Sequence, residues 1–329
     1  MTVNQAFDHF MKDYVNLDSD VVEKARLSRD NLLENVAEFD NKEDFFHLYP
    51  DRHIQFGSFA RKTKCRELDD IDMMVCISAD GATYSSERNW NDIRIIPSNT
   101  SDIQQQCKDE YGYLDSRKVL NVFKKKLSHI REYSRSDIKY NQQAVVLNLL
   151  SKDWSFDIVP CFFTVKELDG RDYYLIPNGD GHWEKTDPRK DRDTVTETNQ
   201  GNDGRLLELI RLVKIWNRKS SVVTIPSYVL ETLIVSFGQK NMPITLDLKQ
   251  RFSDALAYLQ NAIYCRVEDM KDIQGDLNTL SIQQINSFSS QCEADRQLVQ
   301  EALDWENSGY ITTALQKWRK ILGNGFPQE

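Results

Sequence analysis

Hydrophobic positions in this chain recur at two periods, and each stretch of constant period predicts an element. Val22, Ala25, Leu32, Val36 and Phe39 return at three- or four-residue steps, with Ser28 as the one polar interruption. That spacing predicts a long helix, capped by Asp18 or Ser19 and running to about residue 41. A short helix over 4–14 precedes it, and the long one is expected to act as a spine tying two lobes together. The pattern then shortens. Ile54 and Phe56 predict a strand that breaks at Gly57-Ser58 into a short helix, and Ile71 to Ile77 predict a second strand with the polar entry Asp69-Asp70-Ile71-Asp72.

Residues 79–115 are polar, with Asp80-Gly81 and Pro97-Ser98-Asn99 as breakers, and read as an excursion. Val119, Phe123, Leu127 and Ile130 predict a helix over 116–135. Gln143 to Leu150 and Phe156 to Phe163 predict a hairpin, with its turn around Ser151-Lys152-Asp153. Residues 169–204 are dense in Gly, Pro, Asp and Asn and read as a long connection, with a short strand at Tyr173 to Ile176. From 205 the period is helical, with helices expected at about 205–219, 226–239, 247–267, 281–305 and 309–322. The fold class is therefore α/β of the α+β kind. A lobe with a mixed sheet and the spine helix spans 1–204, a helical lobe spans 205–329, and a cleft is expected between them.

The 329 residues and 40% apolar content allow a substantial core in each lobe. No stretch approaches the ~18 uninterrupted apolar residues of a membrane span. The six cysteines are scattered, without a CxxC or a histidine at zinc-site spacing, and suit reduced thiols in the cytoplasm. A net charge of −9 argues against a protein whose main task is gripping nucleic acid, without excluding a local contact. The Lys124-Lys125-Lys126 run alternates with apolar residues at helical spacing and reads as a solvated helix face.

Candidate chemistry gathers where the first lobe turns. Residues two apart on a strand share a face, so Asp70 and Asp72 project together. Paired carboxylates repel unless a cation neutralises them, and magnesium favours one or two carboxylates plus substrate phosphates. Gly57-Ser58 supplies a turn where backbone can approach a phosphate, with helix N–H groups opening at Ser58. The plainer reading is a surface turn followed by a capped, half-exposed strand. Asp157 is the one acid inside the apolar run WSFDIVPCFF, so it must be exposed, hydrogen-bonded or metal-bound. Strand position alone does not separate it from Asp153 in the turn.

In RLLELIRLVKIWNRK, Arg211, Lys214 and Arg218 share one helix face, which is either solvated surface or an anion site. Ser227, in Pro226-Ser227-Tyr228, opens the next helix where N–H groups and a hydroxyl can receive an anion.

The Gly-Ser turn followed by a paired-Asp strand resembles nucleotidyltransferases of the DNA-polymerase-beta type. Adding FDIVP, YLIPN with HWEKTDP, RLVKIWN, PSYVLETLI and the terminal ALQKWRKILGNGFP, nearly the whole chain resembles the bacterial cGAS/DncV-like nucleotidyltransferases, the CD-NTases. The resemblance implies an enzyme that joins nucleoside triphosphates into a cyclic oligonucleotide signal in antiphage defence. It implies two magnesium ions, with manganese as an alternative, on Asp70, Asp72 and Asp157. It implies donor-phosphate contact by Gly57 and Ser58, triphosphate contact by Lys214 and Ser227, and a phosphate or ribose contact by Gln55. ATP is the expected donor, possible alone or with a second nucleoside triphosphate, because a base stacked on an aromatic such as Tyr228 needs no carboxylate to read it. A regulatory protein partner is compatible with that family. The rival readings are a terminal transferase acting on RNA or a small molecule, and a nucleotide sensor without turnover.

Overall fold

The computed structural model describes residues 1–40, 42–85, 89–133, 136–149, 152–219 and 223–328. In chain order the elements begin with α1 (Val3–Phe10), a π-turn over Met11–Val15, α2 (Ser19–Ala37), β1 (Ile54–Gln55), α3 (Gly57–Ala60) and β2 (Asp70–Cys76). Next come β3 (Thr83–Tyr84), β4 (Ile95–Ile96), α4 (Asp102–Gln106), α5 (Ser116–Leu127), β5 (Asp137–Asn141), β6 (Ala144–Asn148), β7 (Ser155–Phe163), β8 (Tyr174–Pro177) and β9 (Trp183–Thr186). The remainder is helical: α6 (Pro188–Gly201), α7 (Leu206–Asn217), α8 (Ser227–Lys240), α9 (Leu248–Ala262), α10 (Ile282–Asn307) and α11 (Ile311–Leu322).

Contacts divide the chain into two compact units. One comprises Ser19–Ala60 and Leu68–Arg189, and the other Met1–Asp18, Arg61–Glu67 and Lys190–Glu329. The compositional boundary expected at 204/205 lies inside the second unit, and α2, the expected spine, lies wholly in the first.

The first unit is built on a mixed sheet in the order β1-β2-β7-β6-β5, extended from β7 through β8 to β9. β2 and β7 run parallel, and the other pairings are antiparallel. β2 is buried on both faces from Met73 onward, which explains why its sequence stops alternating after Asp72. One face of the sheet carries Met74, Cys76, Val159 and Cys161 in a small core with Tyr174 and Ile176. Helix α5 contacts β5 to β8 and contributes the buried Val119, Leu120, Phe123 and Leu127.

The second unit buries one large apolar cluster reaching from Val3 and Phe10 through Trp216 and Phe252 to Trp318 and Phe326. Its aromatic rings meet edge to face, as in Phe7 on Trp318 at 4.7 Å between centroids.

Several expected bounds shift. α2 ends at Ala37 rather than residue 41, and α5 ends at Leu127, followed by a 3₁₀ turn at Arg131–Tyr133. Residues 134 and 135 of that expected helix, and Leu150 and Ser151 of the expected hairpin, lie outside the described residues. Edge strand β5 escaped the sequence reading because DIKYN carries no apolar run. The expected connection at 169–204 holds two strands and a 14-residue helix. α6 was illegible because its inward stripe is mostly polar: Asp191 and Thr198 are buried beside Val195, and Asn202 is buried just past the helix end.

Candidate active site

Parallel pairing sets the register of the acids. Asp72 and Asp157 are direct partners across β2 and β7, and Asp70 pairs with Ser155. Partners in a parallel ladder point to the same sheet face, so Asp70, Asp72 and Asp157 share one face at the strands' polar end. All three are half-buried. Asp153 is exposed and precedes β7, outside the ladder.

Gly57 closes on Asp72. It adopts φ +72°, and a Cβ built there would lie 1.8 Å from Asp72 Oδ2. Only glycine combines that backbone with that approach. Ser58 follows in α3, half-buried. Gln55 is less available than expected, because its side-chain carbonyl accepts from Arg29 Nη1 at 2.6 Å. Arg29 lies on the long helix α2, and nothing in the spacing of either residue signals this contact.

Oxygen donors on neighbouring strands are the chemistry a hard divalent ion takes, and the donor set fits magnesium in that respect. Among the described residues, no group of three His, Cys, Asp or Glu side chains is gathered as a metal cluster. The side chains are thus not drawn into a closed cage of protein ligands. Magnesium sites commonly complete themselves with substrate phosphates and water.

In the second unit the cations of α7 and its C-cap all engage the 61–67 turn, with Lys214 buried, Arg211 half-buried and Arg218 exposed. Arg211 Nη1 donates to the Lys62 carbonyl at 2.7 Å, Lys214 Nζ to the Thr63 carbonyl at 3.0 Å, and Arg218 Nη1 to the Arg66 carbonyl at 2.9 Å. The three side chains satisfy the backbone of the 61–67 turn, which continues from α3. Lys214 is only 5% exposed. Burial pulls its ammonium below the usual lysine range, and Glu231 acts in the opposite direction.

Ser227 is exposed, as the first residue of α8, with Pro226 as the N-cap. Tyr228 donates its hydroxyl to Asp269 at 2.9 Å. The Arg61 guanidinium approaches its ring at 5.4 Å and the Lys271 ammonium at 4.8 Å. Carboxylates therefore stand near Tyr228 after all, since Arg61 also holds Asp191 at 3.0 Å.

The sequence reading passed over Arg61, Thr63, Asp191 and Glu231. Arg61 Nε donates to Glu231 at 2.6 Å, and the Thr63 hydroxyl to the same carboxylate at 2.9 Å. A signal for Glu231 was present: it is the one charge inside YVLETLIV.

Residues 1–131 and 95–199 match the Second Messenger Oligonucleotide or Dinucleotide Synthetase (SMODS) domain. A protein of Bacillus cereus (strain VD146) named "probable cyclic nucleotide synthase" is 39% identical over 328 residues, covering 99% of this chain and 98% of that one.

The chain belongs to this synthetase family. It is a nucleotidyltransferase of the CD-NTase type, and its activity is the synthesis of a cyclic oligonucleotide messenger. A "cyclic AMP-AMP-AMP synthase" of Acinetobacter sp. (strain ATCC 27244 / 9458) is 26% identical over 211 residues, covering 60% of this chain and 58% of that one. Among solved structures, CdnC of E. coli MS115-1 in a complex with HORMA-deltaN has a TM-score of 0.71 at 16% identity, with 98% of each chain covered. The same enzyme with ATP has a TM-score of 0.69, also at 16% identity and 98% coverage of each chain. Both carry the fold of this CD-NTase, a mixed sheet followed by a helical region.

Proposed function

We propose that this CD-NTase joins ATP, alone or with a second nucleoside triphosphate, into a cyclic oligonucleotide for antiphage defence, using Asp70, Asp72 and Asp157 as its acids. The observation that carries the reading is the register of β2 on β7, which aligns Asp72 with Asp157, while the absence of a side chain at Gly57 lets the turn's backbone lie against Asp72. Three acids on one face beside a backbone turn suit phosphoryl transfer, where catalysis is mostly positioning and charge stabilisation.

In this reading the Gly57 backbone and Ser58 receive the donor phosphate, and Gln55 stays a lesser contact because Arg29 engages it. Lys214 and Ser227 are the triphosphate ligands of the helical unit. Asp70, Asp72 and Asp157 would hold two magnesium ions, or manganese, which would lower the pKa of the acceptor hydroxyl and offset the charge on the transferring phosphate. Asp157 takes the place nearest the attacking hydroxyl. Ring closure repeats the transfer on the bound linear intermediate, whose free hydroxyl has a high effective concentration.

ATP is favoured by analogy with the relative named a cyclic AMP-AMP-AMP synthase. A regulatory partner is proposed because CdnC forms a complex with a HORMA protein. No helix among the described residues is long and apolar enough to cross a membrane, and the six free cysteines suit a reducing cytoplasm.

The test is incubation with all four nucleoside triphosphates and magnesium, with mass spectrometry of phosphatase-resistant products. A cyclic product containing adenosine is expected. Exclusively linear products, or product formed only when ATP is replaced, would overturn the reading.

A further inference from the structure

Glu231 is the hub of a buried charge cluster in the helical unit. It is 1% exposed, and both of its oxygens are engaged. Oε1 accepts from Arg61 Nε at 2.6 Å; Oε2 accepts from the Thr63 hydroxyl at 2.9 Å and lies 3.7 Å from Lys214 Nζ. Lys214 in turn donates to the Thr63 carbonyl at 3.0 Å. The other arm of Arg61 holds Asp191 at 3.0 Å. Two cations and two anions thus close on one another.

Such a cluster is a poor way to stabilise a fold, since well-packed apolar residues of similar volume often do as well or better. Its value lies in placing charge. Glu231 is four residues after Ser227, on the same side of α8. One carboxylate therefore faces the Lys214 ammonium of α7 and grips the turn that continues directly from the Gly57-Ser58 helix.

We propose that Glu231 is a positioning residue for nucleotidyl transfer, holding the Lys214 ammonium in place while the same carboxylate fastens the Arg61–Thr63 turn. This rests on the reading of Lys214 as a triphosphate ligand. The groups facing Lys214 are Glu231 from α8 and Arg61, Lys64 and Cys65 from the turn. Glu231 supplies the largest attraction among them, against a desolvation that disfavours the charged ammonium. Removing the carboxylate therefore lets the ammonium lose its proton at lower pH.

The test compares Glu231→Gln, Lys214→Met and the double variant in the full chain. ATP affinity with magnesium is read by calorimetry between about pH 7 and pH 10, alongside pyrophosphate release and thermal melting. Lys214→Met is expected to weaken ATP binding about tenfold, and Glu231→Gln by about three- to tenfold. Glu231→Gln should also move the alkaline loss of binding to lower pH, and add no weakening in the Lys214→Met background.

Wild-type affinity and an unmoved alkaline limb in Glu231→Gln, with Lys214→Met weakened, would overturn the positioning role while leaving the Lys214 reading intact. Unchanged affinity in Lys214→Met would overturn that reading and the inference with it. If Glu231→Gln does not fold, Glu231→Asp keeps the charge with one methylene less reach. Weakened ATP binding with the alkaline limb near its wild-type position then supports the proposal, and wild-type affinity refutes it.

Discussion

Gly57 has no room for a side chain, because Asp72 Oδ2 occupies the place where its Cβ would be, at 1.8 Å. The turn proposed to receive phosphate and the acid proposed to hold metal are thus in direct contact within one unit. Gly57→Ala must either push Asp72 aside or distort a backbone held at φ +72°. We expect product formation to fall by about 100-fold or more, with only a modest drop in melting temperature. Near wild-type turnover by Gly57→Ala in a pyrophosphate-release assay would show that the approach is not needed.

Asp72→Asn removes one carboxylate from a face that also carries Asp70 and Asp157. Turnover should fall by at least about 100- to 1,000-fold, while metal-free thermal stability stays level or rises as repulsion is relieved. Magnesium-dependent product at the wild-type rate would remove Asp72 from the metal assignment.

Asp191 titrates in an unusual range. Burial raises its carboxyl from 3.8 to about 6, against the opposing pull of Arg61. The native state therefore holds this proton more tightly than the unfolded chain. Its contribution to stability is complete below pH 3.8 and is lost as pH rises through about 6. Relative to Asp191→Asn, the wild type should lose on the order of 3 kcal/mol across that window. Denaturant unfolding of both proteins from acid to neutral pH gives the difference, and a flat difference would contradict the desolvation of Asp191.

Asp295 is 1% exposed and accepts from Trp216 Nε1 at 2.8 Å and from Gln291 at 2.9 Å, with Lys219 at 3.6 Å. Asp295→Ala leaves the buried Trp216 indole N–H without its acceptor and takes the counter-charge away from the Lys219 ammonium, which keeps its bond to the Ile321 carbonyl. The expected cost is about 2–4 kcal/mol in unfolding free energy, with Asp295→Asn costing less because it keeps an acceptor oxygen. Equal stability of the alanine variant and the wild type in urea would show that another group takes over.

By itself the sequence determined what depends on neighbours along the chain. Apolar residues at three- and four-residue steps announced the helices from α7 to α11, because one buried stripe requires that spacing. Strand parity put Asp70 and Asp72 on one face. The Gly-Ser turn was readable because the need for a positive φ is local.

Pairing between distant segments was decided by the tertiary structure. Asp157 rather than Asp153 stands opposite Asp72, because the parallel register of β2 on β7 joins strands about 80 residues apart and spacing within either strand cannot reveal it. α6 turns a polar stripe inward, and hydrophobic periodicity is blind to polar burial. The cations of α7 looked like surface for the same reason. Arg211, Lys214 and Arg218 are spaced as a solvated face would be, and only the arrival of the 61–67 turn, whose carbonyls need donors, engages all three and buries Lys214.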